Sequence, residues 1–393
     1  MTSATRTQPA AFRKTAETFT AGATTLPQSY FVSPDIFAEE SRKVFASEWV
    51  CVGHRSQLPE AGDYFVQEVA GESLIILRDK EGNIRSFHNV CRHRGTRLCE
   101  APSGHAAAIQ CPYHAWTYAL DGRLIGAPHM DSAPGFDKAD YPLSSVPVKQ
   151  WEGFIFVTLA NAPSPFEQVF APIMGRFADW NLPRLRSARR VTYDVQANWK
   201  LIFENYSECY HCPGVHPALS KISPYDSAEN DLSEGPFLGG FMAIAEGQSL
   251  TMSGKACARA VSDAAGQHHA RVFYYSIFPN MLLSMHPDYV MVHLLWPQSP
   301  GRTLINCDWY FHPEAAGITD PGYNPDDAVE FWDMTNRQDW HVCELSQLGI
   351  ASRAYRPGPY SPRESIPVAW DRYYLAVMGG ATPAAAVVEC HDS

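Results

Sequence analysis

The chain has 393 residues, of which 45% are hydrophobic and 19% charged, with a formal net charge of −11. That length suffices for two cores, and the composition is that of a soluble globular protein. There is no long basic stripe of the kind a nucleic acid requires, and no run of about 20 apolar residues of the kind a membrane span requires. The N-terminus lacks a signal-peptide apolar segment. The ten cysteines follow no short secreted framework, so a cytoplasmic, reducing setting with thiols free or metal-bound is expected.

Residues 1–30 are rich in Ser, Thr and Ala and read as a flexible tail. Ser33-Pro34-Asp35 opens a helix, with Ser33 as N-cap and Pro34 in the first turn, running to about Ala46. From Glu48 to Thr158 short strands alternate with turn signals. Asp63–Val69 and Glu72–Arg78 flank Ala70-Gly71, and Lys80-Glu-Gly-Asn83 turns the chain into Ile84–Phe87. Leu120-Asp-Gly-Arg123 is a further hairpin turn, and Glu152-Gly153 joins Val146–Trp151 to Phe154–Thr158. This pattern predicts a small antiparallel β domain over 31–165, flanked by the first helix. A Pro-punctuated linker leads into a second domain, 166–393. There Arg189–Val195 is a strand. Residues 217–268, rich in Gly, Ser, Ala and Asp, read as long loops covering a pocket. Strands follow at Val272–Ile277, Met281–Met285, Tyr289–Trp296 and Thr303–Phe311. Helical spacing then covers Asp326–Leu348 and Ile366–Val377.

The chemistry-bearing residues lie in three places. Asn198–His216 begins as an amphipathic helix whose apolar face is Trp199, Ile202, Phe203, Tyr206 and Tyr210. Glu208 and His211 are three apart and so share one side of that helix. Pro213-Gly214 stops the helix and turns His216 back towards His211. Two imidazoles with a carboxylate nearby suit a mononuclear metal. Cys91-Arg-His93 and Cys111-Pro-Tyr-His114 lie on two loops of the β domain. A Cys2His2 set serves structural zinc or a [2Fe–2S] cluster. Zinc fingers pair cysteine with cysteine and histidine with histidine, whereas each loop here is Cys-then-His. That order suits a Rieske centre, with two thiolates on one iron and two imidazoles on the other.

With these motifs the chain resembles the α subunit of a Rieske non-haem iron oxygenase over nearly its whole length. The resemblance implies an α+β fold, with an N-terminal all-β Rieske domain and a C-terminal helix-grip-like catalytic domain of antiparallel sheet and long helices. It implies Cys91, His93, Cys111 and His114 as cluster ligands and His211 and His216 as ligands of mononuclear Fe(II). The third iron ligand is implied to be Asp339, shortly before Gln347-Leu-Gly349, with Asp333 as runner-up. Glu208 is implied as the acid bridging to the cluster of a neighbouring subunit in a head-to-tail homotrimer. The family usually has Asp there and often His-Gly-Trp in the second cluster loop, where this chain has His114-Ala115-Trp116. The wording Glu204-Asn-Tyr-Ser-Glu-Cys-Tyr-His-Cys-Pro-Gly-Val-His216 is similar to the glycine betaine, stachydrine and choline monooxygenases. The implied reaction uses O2 and an NAD(P)H-dependent flavin/iron–sulfur reductase to hydroxylate an N-methyl group of a small quaternary ammonium compound, with loss of formaldehyde. Aromatic-ring dioxygenation and choline-type monooxygenation are the alternatives. An aromatic cage for the cation is expected from Tyr206, Trp309 and Phe311, the last two on one face of a strand.

Overall fold

The computed structural model describes residues 11–261, 270–314 and 322–379. They form two compact units, one spanning Phe45–Val169 and the other joining residues up to Val44 with those from Phe170 onward. No helix among the described residues is long and apolar enough to cross a membrane.

The Phe45–Val169 unit is all β. Its four-stranded sheet runs in the order Ile84–His88, Glu72–Arg78, Asp63–Val69, Ser103–His105. A three-stranded sheet joins Val148–Trp151, Phe154–Val157 and Val50–His54, and a smaller one joins Ile109–Gln110, Thr117–Tyr118 and Leu124–Gly126. Every pairing is antiparallel. The turn at 80–83 is built on buried Asp79, whose carboxylate accepts from the backbone N–H groups of Glu81 and Asn83 and from Arg85 Nε. The core of Ile75, Leu77, Phe87, Trp116 and Tyr118 also encloses Cys91 and Cys111.

The other unit carries an antiparallel eight-stranded sheet. Its order is Arg13–Lys14, Glu229–Leu232, Phe237–Ala243, Arg271–Ile277, Met281–Met285, Val290–Ser299, Arg302–Phe311, Arg186–Val195. The central helix, Trp199–Tyr206, packs against the long helix Pro325–Ile350 and the last helix Ser365–Met378. Asn198 caps the central helix by accepting from Lys200 N–H at 3.1 Å.

Three expectations are corrected here. The first helix, Pro34–Glu40, begins as expected, with Ser33 Oγ accepting from Ile36 N–H. It belongs, however, with the second unit rather than the β domain. The reason is Glu40, fully buried, which accepts from Trp199 Nε1 at 2.9 Å, Lys200 Nζ at 2.5 Å and Tyr374 Oη at 2.5 Å. Residues 11–30 are not a free tail. Arg13 and Lys14 pair with Asn230 and Glu229, Thr25 N–H donates to Gly358 C=O, and Leu26 is buried. Residues 1–10 of the expected tail lie outside the described residues.

The stretch 217–268 is not all loop. It contains the helix Pro217–Ile222 and the strands Glu229–Leu232 and Phe237–Ala243, while 262–268 lie outside the described residues. Gly239 and Gly240 hid the second strand from a propensity reading. They are there because a Cβ at either position would collide with the backbone of a neighbouring strand, at Tyr274 and Glu229 respectively.

Candidate active site

The cluster loops repeat one backbone design. Cys91 N–H donates to Thr96 C=O and Gly95 N–H to Cys91 C=O. In the second loop Cys111 N–H donates to Trp116 C=O and Ala115 N–H to Cys111 C=O. Each loop turns on a left-handed residue four places after its cysteine, Gly95 at φ +73° and Ala115 at φ +55°. The result is two buried thiols and two exposed imidazoles, the His93 and His114 ring centroids standing 4.7 Å apart. His93 also stacks on Trp116 with an interplanar angle of 7°. The donor set fits a Rieske cluster, with soft thiolates inside the protein and neutral imidazoles at its surface. Tyr118 was not singled out from the sequence. Its buried hydroxyl lies 3.4 Å from Cys91 Sγ and accepts from Arg92 N–H at 3.0 Å.

In the other unit the central helix ends at Tyr206, earlier than the sequence pattern suggests. Glu208 and His211 therefore meet across a turn rather than along a helix, and Tyr210 is exposed instead of lying on an apolar face. Pro213 and Gly214 sit within a short helix, Cys212–Val215, rather than ending one, and His216 follows it. The compact turn still brings the imidazoles together. Their ring centroids are 5.1 Å apart.

Asp339, on the long helix, completes the set. Its Oδ1 lies 2.8 Å from His216 Nε2 and 3.2 Å from His211 Nε2. Adjacent ligands of an octahedral ion with bonds of about 2.1 Å are about 3 Å apart, so the three atoms fit one face of such an ion. Burial draws the His211 imidazole down, but Asp339 and Glu208 outweigh it and hold its proton up to about pH 10. Asp339 is pushed up by burial, yet the two imidazoles bring it below the usual carboxylate range. For His211 to ligate a metal through Nε2, the proton held there must leave, so metal binding at this set releases a proton. Asp333, the runner-up, faces elsewhere. It accepts from Tyr193 Oη at 2.8 Å and Arg337 Nε at 2.9 Å.

The outer nitrogens of both imidazoles are engaged. His211 Nδ1 lies 2.5 Å from Glu208 Oε1, and His216 Nδ1 lies 2.8 Å from Gln338 Oε1. Such partners fix the tautomer and aim Nε2 at the ion. Gln338 was missed, though its place beside Asp339 on a helix was a usable signal. Cys209 and Cys212 form a disulfide around Tyr210-His211, which corrects the expectation that all thiols are free or metal-bound.

A cavity of about 500 Å3 opens beside the three residues. Tyr206 lines it as expected, its hydroxyl 2.9 Å from Ser284 Oγ. Trp309 and Phe311 do not line it and are fully buried. They share a strand face with Cys307, which the long helix covers, since Asn336 Nδ2 reaches Cys307 Sγ at 3.8 Å. The face was read correctly, but the strand lies one place too far out. Tyr274, Trp332 and Trp340 supply the aromatic lining instead. Trp332, Thr335, Asn336 and Asp339 follow three- and four-residue steps, so the helical period from Asp339 marked this wall. His293 also lines the cavity, and burial lowers its pKa to about 4, leaving it neutral.

An imidazole-rimmed thiolate pair in one unit and a two-histidine, one-carboxylate set in the other make a two-centre iron oxidoreductase. Residues 182–380 match the family profile of the ring hydroxylating α subunit (catalytic domain), and 48–149 match that of the Rieske [2Fe–2S] domain. The glycine betaine monooxygenase oxygenase subunit of Chromohalobacter salexigens is 33% identical over 371 residues, 86% of this chain and 81% of that one. The carnitine monooxygenase oxygenase subunit of Escherichia coli K12 is 32% identical over 339 residues, 84% of this chain and 86% of that one. The crystal structure of the quaternary ammonium Rieske monooxygenase CntA with L-carnitine superposes with a TM-score of 0.74 at 27% identity, covering 91% of this chain and 96% of that one. The chain belongs to the Rieske non-haem iron oxygenase α subunits. Its cofactors are accordingly a Rieske [2Fe–2S] cluster and a mononuclear iron.

Proposed function

We propose that the chain is the oxygenase component of a monooxygenase that hydroxylates an N-methyl group of a small betaine-like quaternary ammonium compound. The hydroxymethyl product then loses formaldehyde: its hydroxyl proton passes to water, the C–O bond becomes C=O, and the C–N bond breaks with nitrogen keeping the electron pair. When bound, the mononuclear iron activates dioxygen and the Rieske cluster holds in reserve the electron that this step needs. Cys91 and Cys111 hold one iron of that cluster and His93 and His114 the other. His211, His216 and Asp339 hold the mononuclear iron, while Glu208 and Gln338 keep the two imidazoles aimed at it.

The observation that carries the reading is the composition of the cavity wall. A quaternary ammonium ion offers no hydrogen-bond donor, so aromatic faces and nearby negative charge must recognise it. Tyr206, Tyr274 and Trp332 supply the faces, and Glu208 supplies the charge. The relatives named for glycine betaine and carnitine support the same substrate class.

Electrons reach the cluster from a separate NAD(P)H-dependent flavin/iron–sulfur reductase, in keeping with relatives named as oxygenase subunits. The oxygenase assembles head to tail as a homotrimer, a heterologous contact that closes into a ring. The cluster of one copy serves the iron of the next. A structure similar to this chain, with a TM-score of 0.78 at 27% identity, is described in terms of inter-subunit electron transfer. Glu208 accepts from His211 on one side and from an imidazole of the neighbouring copy on the other.

Glu208→Gln tests this reading. The amide keeps the shape but cannot accept as a charged group from two imidazoles, so both metal centres should remain and formaldehyde production should stop. Near-normal transfer from reduced cluster to iron in this variant would reduce Glu208 to an orienting group. Release of a cis-diol from an arene, with no formaldehyde from any betaine, would overturn the substrate class.

A further inference from the structure

Cys209 and Cys212 differ from the other described cysteines, which are all buried and free. Their bond joins residues three apart. A loop that short restricts the unfolded chain little, so the bond adds little to global stability. Nor is it needed to shape the turn. Glu208 Oε2 accepts from Tyr210 N–H and, at 3.3 Å, from His211 N–H, and Cys212 N–H donates to Cys209 C=O at 3.2 Å. The pair is distinguished by its position. Both residues line the cavity. Cys212 is 3% exposed, and its Sγ lies 4.0 Å from His211 Nε2, the nitrogen that faces Asp339. Cys209 is half-buried. The spacing, Cys-x2-Cys, is that of pairs that open and close by thiol exchange.

We infer that Cys209 and Cys212 are a reversible dithiol–disulfide pair that consumes hydrogen peroxide released in the cavity and so guards the iron ligands. This role holds whatever compound the iron oxidises. Dioxygen that takes up two electrons from the reductase and two protons, without spending them on a substrate, becomes hydrogen peroxide. It arises inside the cavity, so it meets the pair without entering from the surface. The Cys212 sulfur gives up its proton and attacks one peroxide oxygen. An S–O bond forms, the O–O bond breaks, and the departing hydroxide takes the proton to become water. The Cys209 sulfur then attacks the sulfur of this sulfenic acid. The S–S bond forms, the S–O bond breaks, and the second hydroxide leaves as water with the Cys209 proton. Two thiols lose two electrons in all, and one peroxide is reduced to two waters. A small thiol or a dithiol protein reopens the bond by exchange at Cys209, the less buried sulfur, and is itself oxidised to a disulfide. The oxidised pair does not disturb the metal site. With the bond in place, Asp339 Oδ1 lies 3.2 Å from His211 Nε2, and Glu208 Oε1 lies 2.5 Å from His211 Nδ1. Other oxidisable groups share the wall, among them His211, His216, Met291 and Trp332. The pair spares them, because it is the group whose oxidation is undone by thiols.

The test uses the full chain with its cluster. The protein is reduced with a water-soluble phosphine, freed of it anaerobically and given one equivalent of hydrogen peroxide. By peptide mass analysis, the segment holding Cys209 and Cys212 should lose two hydrogens and stop reacting with iodoacetamide, and dithiothreitol should restore both thiols. In Cys209→Ser the sulfenic acid should persist on Cys212, where dimedone captures it. A second arm runs the iron-loaded protein with reductase, NAD(P)H and O2 but no substrate. The Cys209→Ser, Cys212→Ser double variant should gain several-fold more oxygen on the peptides bearing His211, His216 and Met291 than the wild type, and should lose its iron sooner. Thiols that survive the peroxide in the wild type, a disulfide that dithiothreitol does not reopen, or equal oxygen gain with and without the pair would overturn the inference and leave the quaternary ammonium reading standing. The first two results come from the wild type alone, so they decide the matter even if a variant fails to fold.

Discussion

Gln338 gives the most direct test of how the protein positions its iron ligands. Its Oε1 accepts from His216 Nδ1 at 2.8 Å, and His216 is only 2% exposed. Removing the amide leaves a buried imidazole N–H without its acceptor, and the ring loses the bond that sets its tautomer. Partners of this kind typically contribute 10- to 100-fold in metal affinity, or about 1.4–2.7 kcal/mol. Gln338→Ala should therefore weaken Fe(II) binding by that factor. Gln338→Glu, a stronger acceptor of the same reach, should bind at least as tightly as the wild type. The assay is anaerobic titration of the iron-stripped protein with Fe(II) against a competing chelator, with the cluster spectrum as a control for folding. Asp333→Ala serves as the negative control and should leave the affinity unchanged, whereas Asp339→Ala should abolish binding. If Gln338→Ala stays within twofold of the wild type, packing alone holds His216 and the reasoning is wrong.

Glu40→Ala should destabilise the second unit by about 3–5 kcal/mol, because it strands the Lys200 ammonium in a fully buried site. Thermal unfolding by circular dichroism should show a fall of about 10 °C, largely reversed by adding Lys200→Met. Ala115→Gly should stabilise the β unit by about 0.5–1 kcal/mol, since φ +55° suits glycine better than alanine. Bleaching of the cluster absorption on heating measures this change. Burial raises the Asp371 pKa to about 7, and burial with the Asp371 charge raises Glu204 well above its usual range. A folded-state pKa raised above the unfolded value favours the protonated native form, so this stability is present at low pH and lost as pH rises from about 4 to 7. Asp371→Asn should reduce that slope in melting temperature between pH 5 and 8, with burial of Glu204 keeping the remainder. An unchanged slope would exclude Asp371 as its source.

The sequence was most legible where chemistry dictates spacing. Cys-x-His and Cys-x2-His specify both cluster loops, since few other arrangements present two thiolates inward and two imidazoles outward. The Asp339 choice also emerged, and the structure separates it from Asp333, which Tyr193 and Arg337 occupy. The harder parts depend on long-range packing. Nothing local to Pro34–Glu40 indicates that Glu40 pairs with a lysine 160 residues later. Gly239-Gly240 reads as a loop until the neighbouring strands are in place. Trp309 and Phe311 were assigned to the correct face, but strand periodicity says nothing about which strand a helix covers. The helical period through Trp332 and Asp339 held that information and was read only as helical spacing.

The central claim is that one chain carries both centres and spends their electrons on an N-methyl group. A single-turnover experiment tests it most directly. The protein is reduced anaerobically, freed of reductant, supplied with a trimethylammonium carboxylate and mixed with O2. The Rieske EPR signal of the reduced cluster should disappear at the rate at which product forms, and formaldehyde should approach one equivalent per mononuclear iron. Loss of the signal with no formaldehyde, or formaldehyde formed while the cluster stays reduced, would contradict the account.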